Sequence, residues 1–358
     1  MAKAKKAIRK INLALQGGGS HGAYTWGVLD RILEEEDLEI GGISGTSAGA
    51  MNGAVLIDGL IKGGRHKAKE QLRTFWQDIS QHNGVFSPIQ NAALPVPEWG
   101  MAAAYSMLDM FSRTFSPYEF NPLNINPLRD VLERTLDLNN FKKHHRTPLF
   151  VTATNVQSGQ PRVFGCEEVT FDVLMASACL PFLFQAVEID GMAYWDGGYV
   201  GNPSIWPLIY HTQCNDVLLV QINPIERVGT PKKASEIIDR LNEISFNSSL
   251  IAEMRAINFV KKLIQSGRLT DDEYKDIRMH MIFSPDAMHG MTASSKLNAN
   301  WDFIATLHEI GYQLADDWLR KHKSAIGRES SLNIEKTFLT KPKKKSEVIK
   351  RAKRAQKA

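Results

Sequence analysis

The stretch from Leu38 to Asn52 limits what this chain can fold into more than any other. Apolar residues at Leu38, Ile40 and Ile43 lead into Ser44-Gly45-Thr46-Ser47-Ala48-Gly49, and Ala50, Met51, Ala54, Val55 and Leu56 follow. Such a pattern reads as a strand, a sharp turn and a helix, with Ser47 at the turn. Gly45 and Gly49 flank the serine in a G-x-S-x-G arrangement, which suits a strained turn because its neighbours carry almost no side chain. The turn holds a hydroxyl clear of the backbone, and the helix start offers free N–H groups to a developing negative charge. A strand-to-helix turn without chemistry has the same five residues, so the pattern by itself is only suggestive.

Upstream, Ile11-Asn12-Leu13-Ala14-Leu15 reads as a short buried strand, followed by Gln16-Gly17-Gly18-Gly19-Ser20-His21-Gly22. Ala23, Trp26, Leu29 and Leu33 then recur at helical spacing. Gly17, Gly19 and Gly22 formally match the dinucleotide pattern G-x-G-x-x-G, but that use wants an acidic residue at the end of the second strand. Ser44-Gly45 stands there instead, and Glu39 lies near the strand's beginning. The competing use of the glycines is an oxyanion hole, in which successive backbone N–H groups turn toward one point. Only 28 positions separate Gly19 from Ser47, one helix and one strand. In a right-handed βαβ unit both strand ends lie on one edge of the sheet, so loop and serine fall side by side.

The rest of the chain alternates in the same way. Residues 64–82 read as a helix with Leu72, Phe75, Trp76 and Ile79 on one face. From 85 to 128 the sequence is Pro-punctuated and apolar, and Met101, Tyr105, Leu108, Phe111 and Phe115 form one stripe. That stripe suits a core helix in an insertion, or a lid and ledge for an acyl chain. Strands are expected at 149–154, 162–164, 217–222 and 277–283, a hairpin at 187–195 with Asp190-Gly191 as its turn, and helices at 171–178, 233–266 and 300–322. The class is α/β.

Charge is unevenly spread. Residues 1–10 carry +5 and residues 341–358 carry +8, so the net +4 leaves −9 for the body between them. Basic ends suit solvated tails or attraction to an anionic surface. No aromatic residue is interleaved with the tail charges, so no specific nucleic-acid contact is expected. Three cysteines (Cys166, Cys179, Cys214) lack metal-type spacing and read as reduced packing residues. The apolar run after the basic start is too short for a signal peptide, and none reaches the ~20 residues of a spanning helix. A cytoplasmic protein, peripheral at membranes, is the expectation; the oligomeric state is not legible.

A serine hydroxyl needs a base within hydrogen-bond reach. Three candidates stand out. His21 follows the glycines, where it caps a helix or faces the site entrance. His289, in Met288-His289-Gly290, sits where a Ser-Asp-His triad would keep its base. Asp196 precedes Gly197 and Gly198, which let a carboxylate approach another turn closely, and partial burial would raise its pKa toward a base's range.

Taken together, the loop Gly17 to Gly22, the elbow Gly45 to Gly49 and Asp196-Gly197-Gly198 occur in an order that resembles the patatin-like phospholipases, lipid acyl hydrolases with a Ser-Asp dyad. Ala176-Ser177-Ala178 to Pro181 is also typical of that family, and the likeness runs from about residue 11 to 222, more weakly to 322. The resemblance implies a three-layer α/β/α sandwich on a mainly parallel sheet, with a helical apolar insertion. It implies Ser47 as nucleophile, Asp196 as general base and the amides of Gly17, Gly18 and Gly19 as oxyanion hole, with Gly45, Gly49, Gly197 and Gly198 supporting the turns. An acyl lipid is the implied substrate and no cofactor or metal is required. Many relatives carry Arg or Lys where this chain has His21, so a fixed charge becomes a titratable one. The expected division is a basic arm at 1–10, a hydrolase domain at 11–325 with a lid at 85–128, and a disordered basic tail at 326–358. A triad esterase using His289 and a non-catalytic nucleotide- or membrane-binding module are the alternatives.

Overall fold

The computed structural model describes residues 8–81, 115–143, 146–227, 229–270, 273–288, 291–292 and 294–340. His289, most of the expected lid (through residue 114), residues 1–7 and residues 341–358 lie outside the described residues.

Strand β1 (Arg9–Leu15) is flanked by β2 (Leu38–Thr46) and β7 (Asp216–Val220), and both pairings are parallel. The full order is β5-β6-β3-β2-β1-β7-β8, where β3 is Leu149–Asn155, β5 Val187–Ile189, β6 Met192–Asp196 and β8 Arg278–Ile282. The short strand β4 (Pro161–Phe164) pairs β3 off that path. The core from β3 to β8 is parallel, while β4, β5 and β6 run antiparallel and close one edge.

Alternation along the strands sets the layers, because successive side chains point to opposite faces. On β1, Ile11, Leu13 and Leu15 enter the larger core cluster and Ala14 the smaller one; on β7, Leu218 and Val220 face the first and Val217 and Leu219 the second. Continuous apolar runs of this kind are what a sheet covered on both faces requires. Helix α1 (Gly22–Leu33), helix α2 (Ala48–Gln81) and the helix Trp301–His322 contribute to the larger cluster. Leu250, Met254 and Ile257 of the helix Ala234–Gln265 cover the other face. The architecture is therefore a mixed sheet with helices on both sides, as the resemblance implied.

Two boundaries differ from the sequence reading. Arg9 and Lys10 belong to β1, not to a free arm. Residues 326–340 are not a loose tail: Leu332, Ile334 and Phe338 are buried in the smaller cluster. Asp216 accepts hydrogen bonds from the Gly327 N–H and from Arg278, and His280 bridges Asp216 to Ser331, which fastens this segment to β7 and β8. Three apolar residues scattered in a polar stretch gave no periodic signal to find it by.

Candidate active site

The β1-α1-β2 unit builds the floor of the site. Leu15 lies opposite Gly45 in the parallel register, so the glycine loop after β1 emerges beside the turn after β2. A methyl group on Gly17 would sit 2.7 Å from the Thr46 carbonyl oxygen and 2.8 Å from the Ser47 Cβ. On Gly49 it would sit 2.1 Å from the Leu15 carbonyl oxygen, and on Gly45 2.6 Å from the Gly49 backbone. These are backbone obstacles that cannot swing aside. The glycines are thus demanded by the close approach of β1, β2 and α2. Ser47 itself has φ of 53°, a left-handed conformation that a side-chain-bearing residue rarely adopts. The turn is held from outside the elbow: the Ser47 N–H donates to Ser177 Oγ at 2.9 Å, and the Ser177 hydroxyl donates to the Thr152 carbonyl at 2.7 Å.

Asp196 arrives on the adjoining antiparallel strand. Thr46 pairs with Thr152 and Ala153 with Asp196, so β3 is the bridge that brings the end of β6 to the end of β2. Gly197 is packed so tightly that a Cβ would lie 2.1 Å from the Thr152 carbonyl oxygen. The Asp196 carboxylate is buried and accepts a hydrogen bond from the Gly198 N–H at 2.7 Å. Burial pushes its pKa up to about 6, while the Gly198 N–H, the neighbouring Ser47 hydroxyl and the charge of Lys296 pull the other way. It is mostly ionised at neutral pH, which is the form that accepts a proton.

Of the three glycine amides expected to face an oxyanion, one is otherwise engaged. The Gly17 N–H donates to Asn202 Oδ1 at 2.6 Å. Asn202 comes from the segment after Asp196, so no local pattern marks it. The Gly18 and Gly19 amides donate to no partner among the described residues, and Gly19 has a positive φ of 57°.

His21 also departs from expectation. It is buried, its Nε2 pairs with Ser295 Oγ at 2.8 Å, and its ring packs toward Phe303. Burial, helped by the nearby Lys296 charge, pushes its pKa down to about 3. It therefore stays neutral through the physiological range and is no titratable substitute for a cation. Nor does it line the reaction cavity; it borders a smaller neighbouring one with Asn223 and Thr292.

Ser47, Asp196 and the glycine loop open onto a cavity of about 120 Å³. Its other walls are Phe75, Trp76 and Ile79 of α2, with Leu128, Leu180, Phe184 and Phe246. A cavity of about 150 Å³ accommodates benzene, so the part bounded by the described residues has room for a few carbons of an apolar chain. The helix read at 64–82 thus supplies a cavity wall as well as core, a double use that its apolar spacing could not reveal. Lys296 stands at the rim; nothing in Ser294-Ser295-Lys296-Leu297 signalled it. Among the described residues no group of three or more His, Cys, Asp or Glu is arranged to hold a metal ion. The arrangement can deliver a serine oxygen, take its proton and offer amides to an oxyanion.

A family model described as patatin-like phospholipase matches residues 13–209. Among solved structures, the chain is similar to VipD from Legionella pneumophila, at 14% identity over 94% of this chain and 73% of that one, with a TM-score of 0.39. It is also similar to the heterodimeric ExoU–SpcU complex from the type III secretion system of Pseudomonas aeruginosa, at 15% identity and a TM-score of 0.37. That match covers 90% of this chain and 53% of the other, so this chain spans about half the length of its counterpart there. Comparison with curated proteins finds no match.

Proposed function

From the premise that this chain belongs to the patatin-like phospholipase family, we propose that it is a serine acyl hydrolase whose dyad is Ser47 and Asp196, acting on the carboxylic ester of a phospholipid or related acyl lipid. One observation carries the reading: Ser47 and the buried carboxylate of Asp196 face one cavity walled largely by apolar side chains, with the hydroxyl placed to favour the carboxylate's charge. Structural neighbours at such low similarity add no argument about substrate.

The chemistry runs in two halves. Asp196 takes the hydroxyl proton as Ser47 Oγ attacks the ester carbonyl, and the oxyanion is met by the Gly18 and Gly19 amides. Collapse of the tetrahedral intermediate breaks the ester C–O bond, and Asp196 returns the proton to the leaving alcohol. Water then attacks the acyl-serine, with Asp196 again taking a proton, and a fatty acid leaves while Ser47 regains its hydrogen. The acyl chain would lie against Phe75, Trp76 and Phe184. Residues 9–340 would form the hydrolase domain, with residues 1–8 and 341–358 outside it.

The test is covalent. A fluorophosphonate probe should label the wild-type protein and not Ser47→Ala, and Ser47→Ala should lose ester hydrolysis while keeping its far-UV circular dichroism. A folded wild-type protein that takes no label would reject the proposal.

A further inference from the structure

Lys296 is the one cation among the described residues that line the cavity, as Asp196 is the one anion. Its short helical turn, Ser294–Leu297, lies directly on the glycine loop: a Cβ on Gly19 would come within 2.4 Å of the Lys296 carbonyl oxygen. The ammonium has neutral direct partners, Asn223 Oδ1 at 2.8 Å and the Phe246 ring at 4.9 Å. Asn223 in turn donates to the Gly17 carbonyl at 3.0 Å, and its own N–H donates to Gln16 Oε1 at 2.7 Å, so the anchor of the lysine is the backbone of the site. Glu243, the acid that most favours the Lys296 charge, is already taken by Arg227 and Arg240. Lys296 therefore holds a charge at the cavity wall without an ion pair that would cancel it.

We infer that Lys296 is a positioning residue that acts through Asp196, its positive charge at the shared cavity wall favouring the carboxylate anion on the acid side of neutrality, a role that His21 cannot fill. This rests on the reading of Ser47 and Asp196 as nucleophile and base. The influence is mutual, since Lys296 favours the Asp196 anion and Asp196 favours the Lys296 cation. The other groups facing Asp196 offer no such help. Burial and Asp196 itself push the Cys179 thiol up to about 12 and raise the Tyr199 hydroxyl further, so both stay neutral. Around Lys296, Glu243 and Asp239 favour its charge while Arg227 opposes it, and desolvation brings its pKa down to about 8. The cation is thus present throughout the range in which Asp196 titrates. Above that range the carboxylate is ionised with or without it.

The test compares wild type, Lys296→Met and Lys296→Arg on p-nitrophenyl octanoate from pH 4.5 to 9.5. A neutral substrate leaves no headgroup for the lysine to recognise. Removing a close opposite charge raises a carboxylate pKa by about one unit at the low end of such effects. The kcat/KM of Lys296→Met should then fall about fivefold below wild type at pH 6, with the gap narrowing steadily toward pH 8, and Lys296→Arg should restore the wild-type limb. A loss of equal size at every pH, or an unmoved acid limb, overturns the inference. So does a basic limb near pH 8 that Lys296→Arg removes, because the ammonium would then be touching the reacting oxygen. Lys296→Gln serves as the second uncharged variant should the methionine fail to fold. Absence of fluorophosphonate labelling in wild type would instead reject the dyad itself, so the two failures are distinct.

Discussion

A carboxylate sealed from water resists ionisation, and Asp196 shows what that means for a single residue. Its pKa is raised to about 6 by burial, so between the ordinary carboxylate range and pH 6 the folded state holds a proton that the unfolded chain has given up. Stability is highest below that window and is lost as pH rises through it. The change corresponds to about 3 kcal/mol at neutral pH at most. Asp196→Asn should accordingly unfold at a higher temperature than wild type at pH 7.5, with the difference vanishing near pH 4, while ester hydrolysis falls by a factor of about 10³ or more. A variant less stable than wild type at both pH values would contradict the sign. In the wild type, kcat/KM should drop as pH falls through about 6, as the base acquires its proton. Ser47 and Asp196 were legible because each needs small neighbours in sequence. Asn202, Ser177 and Lys296 were not, since their partners (Gly17, the Ser47 N–H and the Asp196 charge) lie far away along the chain.

Elements meet at distances that leave no room for a methyl group in some places and ample room in others. Gly49 lies at the start of α2 where that helix touches β1; Gly64 lies at the kink within α2, with φ of 73° and nothing within 4 Å of where its Cβ would be. Gly49→Ala must push apart two backbones and should destabilise by about 3 kcal/mol or more. Gly64→Ala meets only backbone strain, at a φ of 73° with a ψ of −158° that glycine alone adopts readily, and should cost about 1–3 kcal/mol. Urea titrations of the two variants measure this directly, and equal losses would refute the packing account. The helices and strands were readable from periodicity at nearly every position because most of them are long, buried and regular. Shorter pieces escaped it: the helices Pro117–Phe120, Leu128–Thr135 and Trp206–His211 are too brief to show a period, and the last begins with Trp206-Pro207. The break that Gly63-Gly64 announces is real: both residues have non-helical backbone angles, so the helix read at 64–82 is a second one that meets the helix from Ala48 at a kink.

At the scale of the whole molecule, charge and fold are separately encoded. The acidic body holds nearly all of the described structure, and the eighteen residues from 341 onward add +8. Attraction to an anionic leaflet is worth about 1 kcal/mol per basic residue near the surface and fades with salt. Deleting residues 341–358 should leave the unfolding midpoint unchanged and weaken binding to vesicles containing phosphatidylglycerol, less so at 0.5 M salt. Binding that is identical with and without those residues would discard an electrostatic role for them. Fold class was readable across the molecule because alternating strands and helices admit few layer arrangements. The place where the body stops was not readable, because Leu332, Ile334 and Phe338 carry too little apolar sequence to announce a buried segment.

The arrival of Lys296 over Gly19 has a consequence for biosynthesis. A ribosome releases Ser47 early and Asp196 midway, yet the turn that roofs the glycines, and the two strands β7 and β8, come only in the last two-fifths of the chain. Until then β1 has one bare edge and the carboxylate lacks its nearby cation. Built in this order, the site stays unfinished until the segment after β8 has emerged.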